Sequence, residues 1–477
     1  MVSTKIIATI GPSCDSIHRI KNLIRAGVNV FRFNLKHNTQ VWHSERIARV
    51  RQASRELQLP AAILLDLQGP DIRIGSFKDG EILLKKKEIV FFVLSPSNKK
   101  RKEIIIDSLS LLEKLEKNHE FTIDDGRFRF RVVGKTKKEI EAKVLEGGIL
   151  KSQKGVNTPG LELDLPTLVK KDLEDISLAA REDVDFVALS FVRSVQDIEI
   201  LKSELDRQKL KAKIISKIET VQALQNFEEI LKQTDGVMIA RGDLGVELAL
   251  EQVPFYQKEI IKRCLEVGKP VITATQMLES TIVEPYPTRA EVSDVANAIY
   301  DFTDAVMLSA ESAIGKHPEA AVKMMVKIAG FIEGKRPRPE KLNFEVRHQT
   351  AAVTFSAHNL WESEFCQKEK IRAFVVLTET GMSARMLARL RPQIPILALT
   401  RHAKIRDQLL LVWGVTPILS NHVNNPYGKK TVEQIRQMLK VIKEKKYVKS
   451  GEKVIMVYGE DWGTPGKTSV VRIQEVN

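Results

Sequence analysis

Short apolar runs recur along much of the chain, and each is followed by a stretch with helical spacing. The runs cover 4–10, 28–35, 61–67, 186–192, 213–219, 236–244, 270–278 and 305–311. They are filled with Val, Ile, Leu and Ala and do not alternate with polar positions. That is the pattern of parallel strands buried on both faces. Between the first two runs, Ser16 precedes Ile17, Ile20, Leu23 and Ile24, and Gly27 follows. This predicts a capped helix that turns one apolar stripe inward. Eight strand–helix units predict an α/β chain built on a (β/α)8 TIM barrel.

The pattern changes after the third run. Between Ile74 and Lys151 it becomes short alternating stretches separated by Asp79-Gly80, Ser95-Pro96, Asp125-Gly126 and Gly147-Gly148. Phe128, Phe130 and Val132 alternate there with Arg127, Arg129 and Arg131. This predicts a small β-barrel domain over 73–153, inserted in a loop at the C-terminal face of the barrel and placed to act as a lid. The barrel then comprises 1–72 and 154–336. Beyond the basic, Pro-containing linker Lys335-Arg336-Pro337-Arg338-Pro339, a helical stretch (349–361), a strand (373–377), a helix (384–390) and strands at 394–399 and 454–458 predict an open α/β domain over 337–477.

Composition narrows the class. The 477 residues are 43% hydrophobic and 29% charged, as in soluble, well-cored proteins. No apolar run is long enough to span a bilayer. The segment from Met1 to Gly11 reads as a strand and not as a signal peptide. Cys14, Cys264 and Cys366 are far apart and odd in number, which argues against a disulfide framework and for a reducing, cytoplasmic setting. The net charge of +14 comes from clusters such as Lys99-Lys100-Arg101-Lys102 that carry no interleaved aromatics. No nucleic-acid partner is expected, whereas polyanionic small substrates suit such a surface.

Polar residues inside the apolar framework gather at the C-terminal ends of the runs: Arg32 and Asn34, Asp66, Lys217 and Glu219, Arg241 and Asp243, Thr275 and Gln276, Ser309 and Glu311. In a (β/α)8 barrel these ends converge on one mouth. Glu219 and Asp243 offer oxygens to a hard cation, Mg²⁺ or Mn²⁺. Lys217 and Arg32 offer positive charge to a phosphoryl group in transit. Thr275 offers a hydroxyl. Singly, each has a structural alternative: Asp66 as a helix cap, Arg241 as a brace between loops. Together they point to a metal-dependent barrel enzyme with an anionic substrate.

At these residues the chain resembles the pyruvate kinase family, and the resemblance covers almost its whole length. Thr4 to Pro12, Lys154-Gly155-Val156-Asn157, Ile215-Ser216-Lys217-Ile218-Glu219, Ala240 to Gly245, Ala274 to Ser280 and Pro287 to Glu291 are similar to family blocks in the family's order. The resemblance implies Mg²⁺-dependent phosphoryl transfer from phosphoenolpyruvate to ADP, giving pyruvate and ATP, the last step of glycolysis. It implies that Glu219 and Asp243 hold the metal and that Lys217, Arg32 and Arg73 serve the phosphoryl group. Ala240, Arg241, Gly242 and Asp243 would receive the substrate carboxylate through their backbone. Thr275 would sit by the proton that the enol carbon must gain. Arg32, His37 and Lys154 would meet the nucleotide. A homotetramer is also implied.

Two regions depart from the family's pattern. In the monovalent-cation pocket Asn34 and Asp66 remain, but Lys36 and Leu67 stand where Ser and Thr are expected. The expectation is that Lys36 replaces K⁺ and that K⁺ is not required. In the C-terminal domain, Thr378-Glu379-Thr380-Gly381-Met382-Ser383 lies between a strand and a helix, a turn suited to an anion. Thr378, Thr380, Gly381 and Ser383, with Trp462 from a later loop, are the candidate site for a phosphorylated effector, so the domain is expected to be regulatory. Two competing readings are another barrel enzyme of phosphoenolpyruvate chemistry and a catalytically weak sensor.

Overall fold

The computed structural model describes residues 2–97, 100–124, 126–161, 163–335, 342–420, 431–460 and 466–477. Eight parallel strands close the barrel: β1 Lys5–Thr9, β2 Val28–Asn34, β3 Ala62–Asp66, β4 Phe186–Leu189, β5 Lys213–Ile218, β6 Gly236–Ala240, β7 Val271–Ala274 and β8 Ala305–Leu308. β8 pairs with β1 through Lys5 opposite Ala305 and Ala8 opposite Leu308. Successive strand residues face two different cores. Ile7, Val30, Leu64, Ile215, Met238 and Met307 pack inside the barrel, while Ile6, Phe31, Phe33 and Val237 pack between strands and helices. This double burial is why the strands read as unbroken apolar runs.

Local chemistry sets the helix limits. Ser16 accepts the Arg19 N–H at 3.4 Å before the helix Ile17–Ala26, and Gly27 ends it at φ 116°, a value that favours glycine. Several runs extend past their strands. β6 stops at Ala240 and the chain turns at once into the helix Arg241–Glu247. β7 stops at Ala274, and Thr275 and Gln276 take φ of 64° and 54°. The site residues after these strands are therefore held by turns and helix starts, which an apolar-run reading cannot separate from strand.

The inserted segment forms a six-stranded sheet, in the order Val156–Asn157, Glu120–Ile123, Phe128–Lys135, Glu139–Glu146, Ile89–Val93, Glu103–Ile105, and a separate ribbon of Glu81–Leu84 with Gly148–Lys151. Its core is Phe92, Phe121 and Phe130, whose ring centroids lie 5.0–5.2 Å apart. Each such ring contributes about 2–3 kcal/mol by burial. The two chain crossings lie side by side, with the Ile74 N–H on the Lys154 carbonyl at 2.9 Å. Asp125 of one predicted turn lies outside the described residues, as does the predicted linker apart from Lys335.

The C-terminal sheet runs β11 (Val415–Leu419), β10 (Ile396–Thr400), β9 (Ala373–Leu377), β12 (Lys453–Tyr458), β13 (Val470–Glu475), with β13 antiparallel. Leu410 and Leu411, from the short turn before β11, join the barrel's inner core. Lys5 Nζ bonds the Val415 carbonyl at 2.7 Å, and the Trp413 N–H bonds Asp304 at 3.2 Å. The barrel's floor is thus closed by the C-terminal domain, opposite the mouth. All three cysteines are buried and unpaired. No helix among the described residues is long and apolar enough to cross a membrane.

Candidate active site

Five strand ends bring one charge cluster together. Asp66, at the end of β3, is buried and takes Arg32 Nε and Nη2, each at 2.7 Å, on one carboxylate oxygen. Its other oxygen faces Lys217 Nζ at 3.3 Å. Lys217 also meets Glu219 at 2.8 Å and the Ser190 hydroxyl at 2.8 Å. Arg32 is steadied by Thr9 Oγ1 at 3.1 Å. Asp66 therefore joins two cations and caps no helix.

The electrostatics follow from this arrangement. Burial opposes charge on Lys217, but Asp66, Glu219 and Asp243 outweigh it and hold its pKa above the ordinary lysine value. Burial likewise raises the Asp66 pKa, yet Lys217 and Arg32 more than offset it and keep the carboxyl ionised. Three carboxylates thus surround two cations. The surplus negative charge and the hard oxygens fit a divalent cation. No group of three or more metal-ligating side chains converges among the described residues. Glu219 and Asp243 would supply two positions, and substrate oxygens and water the rest, as Mg²⁺ tolerates. The Glu219 carboxylate is aimed by the Phe191 N–H at 2.6 Å.

Thr275 stands across the mouth. Its hydroxyl donates to the Ala274 carbonyl at 2.7 Å and accepts the Gly242 N–H at 2.8 Å. A β-branched residue at positive φ carries strain of about 1–3 kcal/mol. The Arg241 side chain explains how the strain is held. Its guanidinium reaches the Ala274 carbonyl (3.2 Å), the Thr275 carbonyl (2.6 Å) and Asp294 (2.7 Å). It braces the two turns, and only its backbone is left to address a substrate. Glu311 ties the same turn to the end of β8 through the Leu278 N–H (3.1 Å) and the Ser309 N–H (2.7 Å).

Other expected residues sit less directly. Arg73 pairs with Asp71 at 2.7 Å and bonds the Gln153 carbonyl, at the hinge of the inserted domain. Lys36 does not sit on the oxygens left from the cation pocket. Its ammonium lies 2.7 Å from Asp71, while Asn34 Oδ1 takes only the Lys36 backbone N–H, at 3.2 Å. Asp66 is already matched by Arg32 and Lys217, and the nearly buried Asp71 competes for Lys36. His37 has its pKa lowered by burial and by Lys36, Arg73 and Arg32, so it is neutral near pH 7. Lys154, where the chain returns from the inserted domain, pairs with Asp124 of that domain at 2.7 Å. In the C-terminal loop, Thr378 Oγ1 accepts the Gly381 N–H at 2.9 Å and Ser383 shares a 2.7 Å bond with Thr468. Thr380 belongs to the same turn, and Trp462 lies outside the described residues. Ser190, Asp71, Thr9 and Asp124 went unread as site residues. Ser190 alone left a trace, as the polar residue inside the fourth run, just past the end of β4.

The family model for the pyruvate kinase barrel domain matches residues 1–322, and that for the pyruvate kinase alpha/beta domain matches 363–474. The chain belongs to the pyruvate kinase family. It is 39% identical to pyruvate kinase 2 of Synechocystis over 99% of this chain and 79% of that protein. It is 38% identical to pyruvate kinase of Staphylococcus saprophyticus over its full length and 81% of the relative. The Staphylococcus aureus pyruvate kinase is 37% identical, again over 81% of its length. As a member of the family the chain is a phosphotransferase, with the family's Mg²⁺-dependent transfer from phosphoenolpyruvate to ADP.

Proposed function

We propose that this mouth performs the transfer with Lys217 at its centre. The supporting observation is the ammonium held between Asp66, Glu219 and Ser190, kept charged and kept from leaving. Arg32, locked on Asp66, and Arg73, at the hinge, hold the phosphoryl oxygens. Glu219 and Asp243 would hold Mg²⁺, which would supply charge neutralisation for the substrate carboxylate and phosphate. A terminal ADP oxygen attacks phosphorus as the bond from phosphorus to the enol oxygen breaks. Lys217 stabilises the equatorial oxygens during that passage. The enol oxygen keeps the electron pair, and C3 then takes a proton to give pyruvate. Thr275 orients the donor of that proton, and the backbone at Gly242 and Asp243 addresses the carboxylate. His37 and Lys154 approach the nucleotide, Lys154 when the inserted domain closes. The test is pyruvate formation from phosphoenolpyruvate and ADP with Mg²⁺, with no product expected when either substrate is omitted.

We further propose that turnover needs no K⁺. Lys36 and Arg73, both fixed on Asp71, place permanent positive charge beside the phosphoryl path. Rates in K⁺, Na⁺ and Tris at one ionic strength are expected to agree within about twofold, a spread below 0.5 kcal/mol in barrier. Strong activation by K⁺ alone refutes the idea.

The loop from Thr378 to Ser383 is proposed to bind a phosphorylated effector in a cytoplasmic homotetramer. Its internal hydrogen bonds preform the turn, and Glu379, held by Arg401 and His402, is the element that an anion would have to face. Phosphorylated sugars are expected to shift the phosphoenolpyruvate saturation curve of the wild type and not of Ser383→Ala. A curve that no effector moves makes the loop structural.

A further inference from the structure

We propose that a cavity at the seam between the barrel floor and the C-terminal domain is a second anion site, built for a small phosphate monoester, remote from the mouth and sharing only Met382 with the Thr378–Ser383 turn. The cavity has a volume of about 350 Å³, the lower end of the range for small-molecule sites. Gly268 and Lys269, just before β7, form one wall, and Arg385 and Arg389, on and just after the helix Met382–Ala388, form the other. It therefore opens at the N-terminal side of the strands, away from Lys217. The two walls touch closely. A Cβ on Gly268 would lie 2.3 Å from Met386 Cε.

The lining holds cations that the protein does not match. Both lining carboxylates are used elsewhere. Arg263 holds Glu228 at 2.7 and 2.8 Å and reaches Glu345 at 3.4 Å. Arg389 is 2% exposed, yet its Nε and Nη2 have no hydrogen-bond partner among the described residues. Only its Nη1 is bonded, to the Glu266 carbonyl at 2.7 Å, with the Phe344 ring 5.5 Å away. Arg385 makes only long contacts, 3.5 Å to the Thr380 carbonyl and 3.7 Å to the Met382 sulfur. Lys269 is bonded to the carbonyls of Leu231 and Lys232. Among the described residues no carboxylate lies within 4.0 Å of Arg385, Arg389 or Lys269.

Leaving buried guanidinium donors unpaired is unfavourable unless something arrives to take them. Burial lowers the pKa of all three groups, that of Lys269 to about 8. A phosphate monoester suits the partly exposed Arg385 and the charge of the cluster, with the unpaired Arg389 donors enclosed just behind that wall. Its oxygens match the guanidinium fork, its charge neutralises the cluster, and its organic part fits the remaining volume. Because the walls come from different domains, an occupant would tie the C-terminal helix to the barrel.

The experiment is calorimetric titration of inorganic phosphate into the full-length chain. The wild type is expected to bind phosphate in a component that Arg389→Gln and Arg385→Gln each weaken at least tenfold. Thr378→Val is expected to leave that component intact, and both arginine variants are expected to keep wild-type kcat. Arg385 is partly exposed, so its substitution decides the matter if Arg389→Gln fails to fold. The proposal is overturned if phosphate does not bind, if its isotherm is the same in both arginine variants, or if Thr378→Val abolishes it. Turnover measured in parallel reports on the mouth alone, so failure here and failure of the catalytic reading are distinct.

Discussion

Lys217→Met is expected to lower kcat by at least about 10³-fold with little change in the overall fold, because a positioned cation on a migrating phosphoryl group contributes on that scale. Met fills much of the lysine volume but carries no charge. The KM for ADP should change far less than kcat, since Lys217 faces the transferring group and not the nucleoside. The same substitution should destabilise the chain. It leaves Asp66 with Arg32 alone and Glu219 with no cation, and breaking a buried pair costs about 3–5 kcal/mol, here nearer the lower figure because Arg32 remains. The sign with pH follows. Asp66 is held below the ordinary carboxylate value, so its contribution is present above that value and is lost as pH falls through the depressed one. The gap between wild type and variant should therefore be widest near neutrality and shrink below about pH 4. Steady-state kinetics and urea titrations at two pH values check both halves. A variant that turns over within tenfold of wild type would remove Lys217 from the centre of the mechanism.

Glu219→Gln is the second large effect. The carboxylate lies 2.8 Å from Lys217 and is aimed by the Phe191 N–H at 2.6 Å, so its orientation is set before any metal arrives. A Gln keeps the shape and removes the charge. The Mg²⁺ concentration for half-maximal rate should rise at least about 100-fold, since even groups behind a metal ligand are worth 10–100-fold. Mn²⁺ should recover part of the rate, since it too takes carbonyl, carboxylate and water oxygens and the Gln carbonyl oxygen can still ligate it. An unchanged Mg²⁺ requirement would mean that the metal is held elsewhere. Asp243→Asn should behave in the same direction.

Much of the site was legible because a closed parallel barrel puts every strand's C-terminal end on one face. Reading Lys217, Glu219, Asp66 and Arg32 as strand-end residues was enough to place them together. The turns were not legible in the same way. Thr275 and Gln276 continue an apolar run in sequence, yet both take positive φ, because Arg241 and the Gly242 N–H reach across from β6 and hold them there. Lys36 went to Asp71 for a related reason. Residues two or more apart in a loop choose partners by where the loop bends, and spacing carries no record of that bend. β11 and β13 also escaped reading. β11 contains Pro417 and lies at a sheet edge, where proline is tolerated, and β13 mixes Arg472, Gln474 and Glu475 into its run.

The sequence by itself determined the architecture and which charged residues gather at the mouth. Apolar runs buried on both faces have few other solutions, and residue types at their ends follow from the strand direction. Only the tertiary structure decided which charges are paired and which are left over. It turned Arg241 into a brace, closed the barrel floor with Leu410 and Leu411 from a distant domain, and left Arg385 and Arg389 beside a cavity whose own carboxylates, Glu228 and Glu345, are held by Arg263. These outcomes depend on distances between segments more than a hundred residues apart, where Coulomb and packing energies change steeply over a few ångströms and local pattern has no hold.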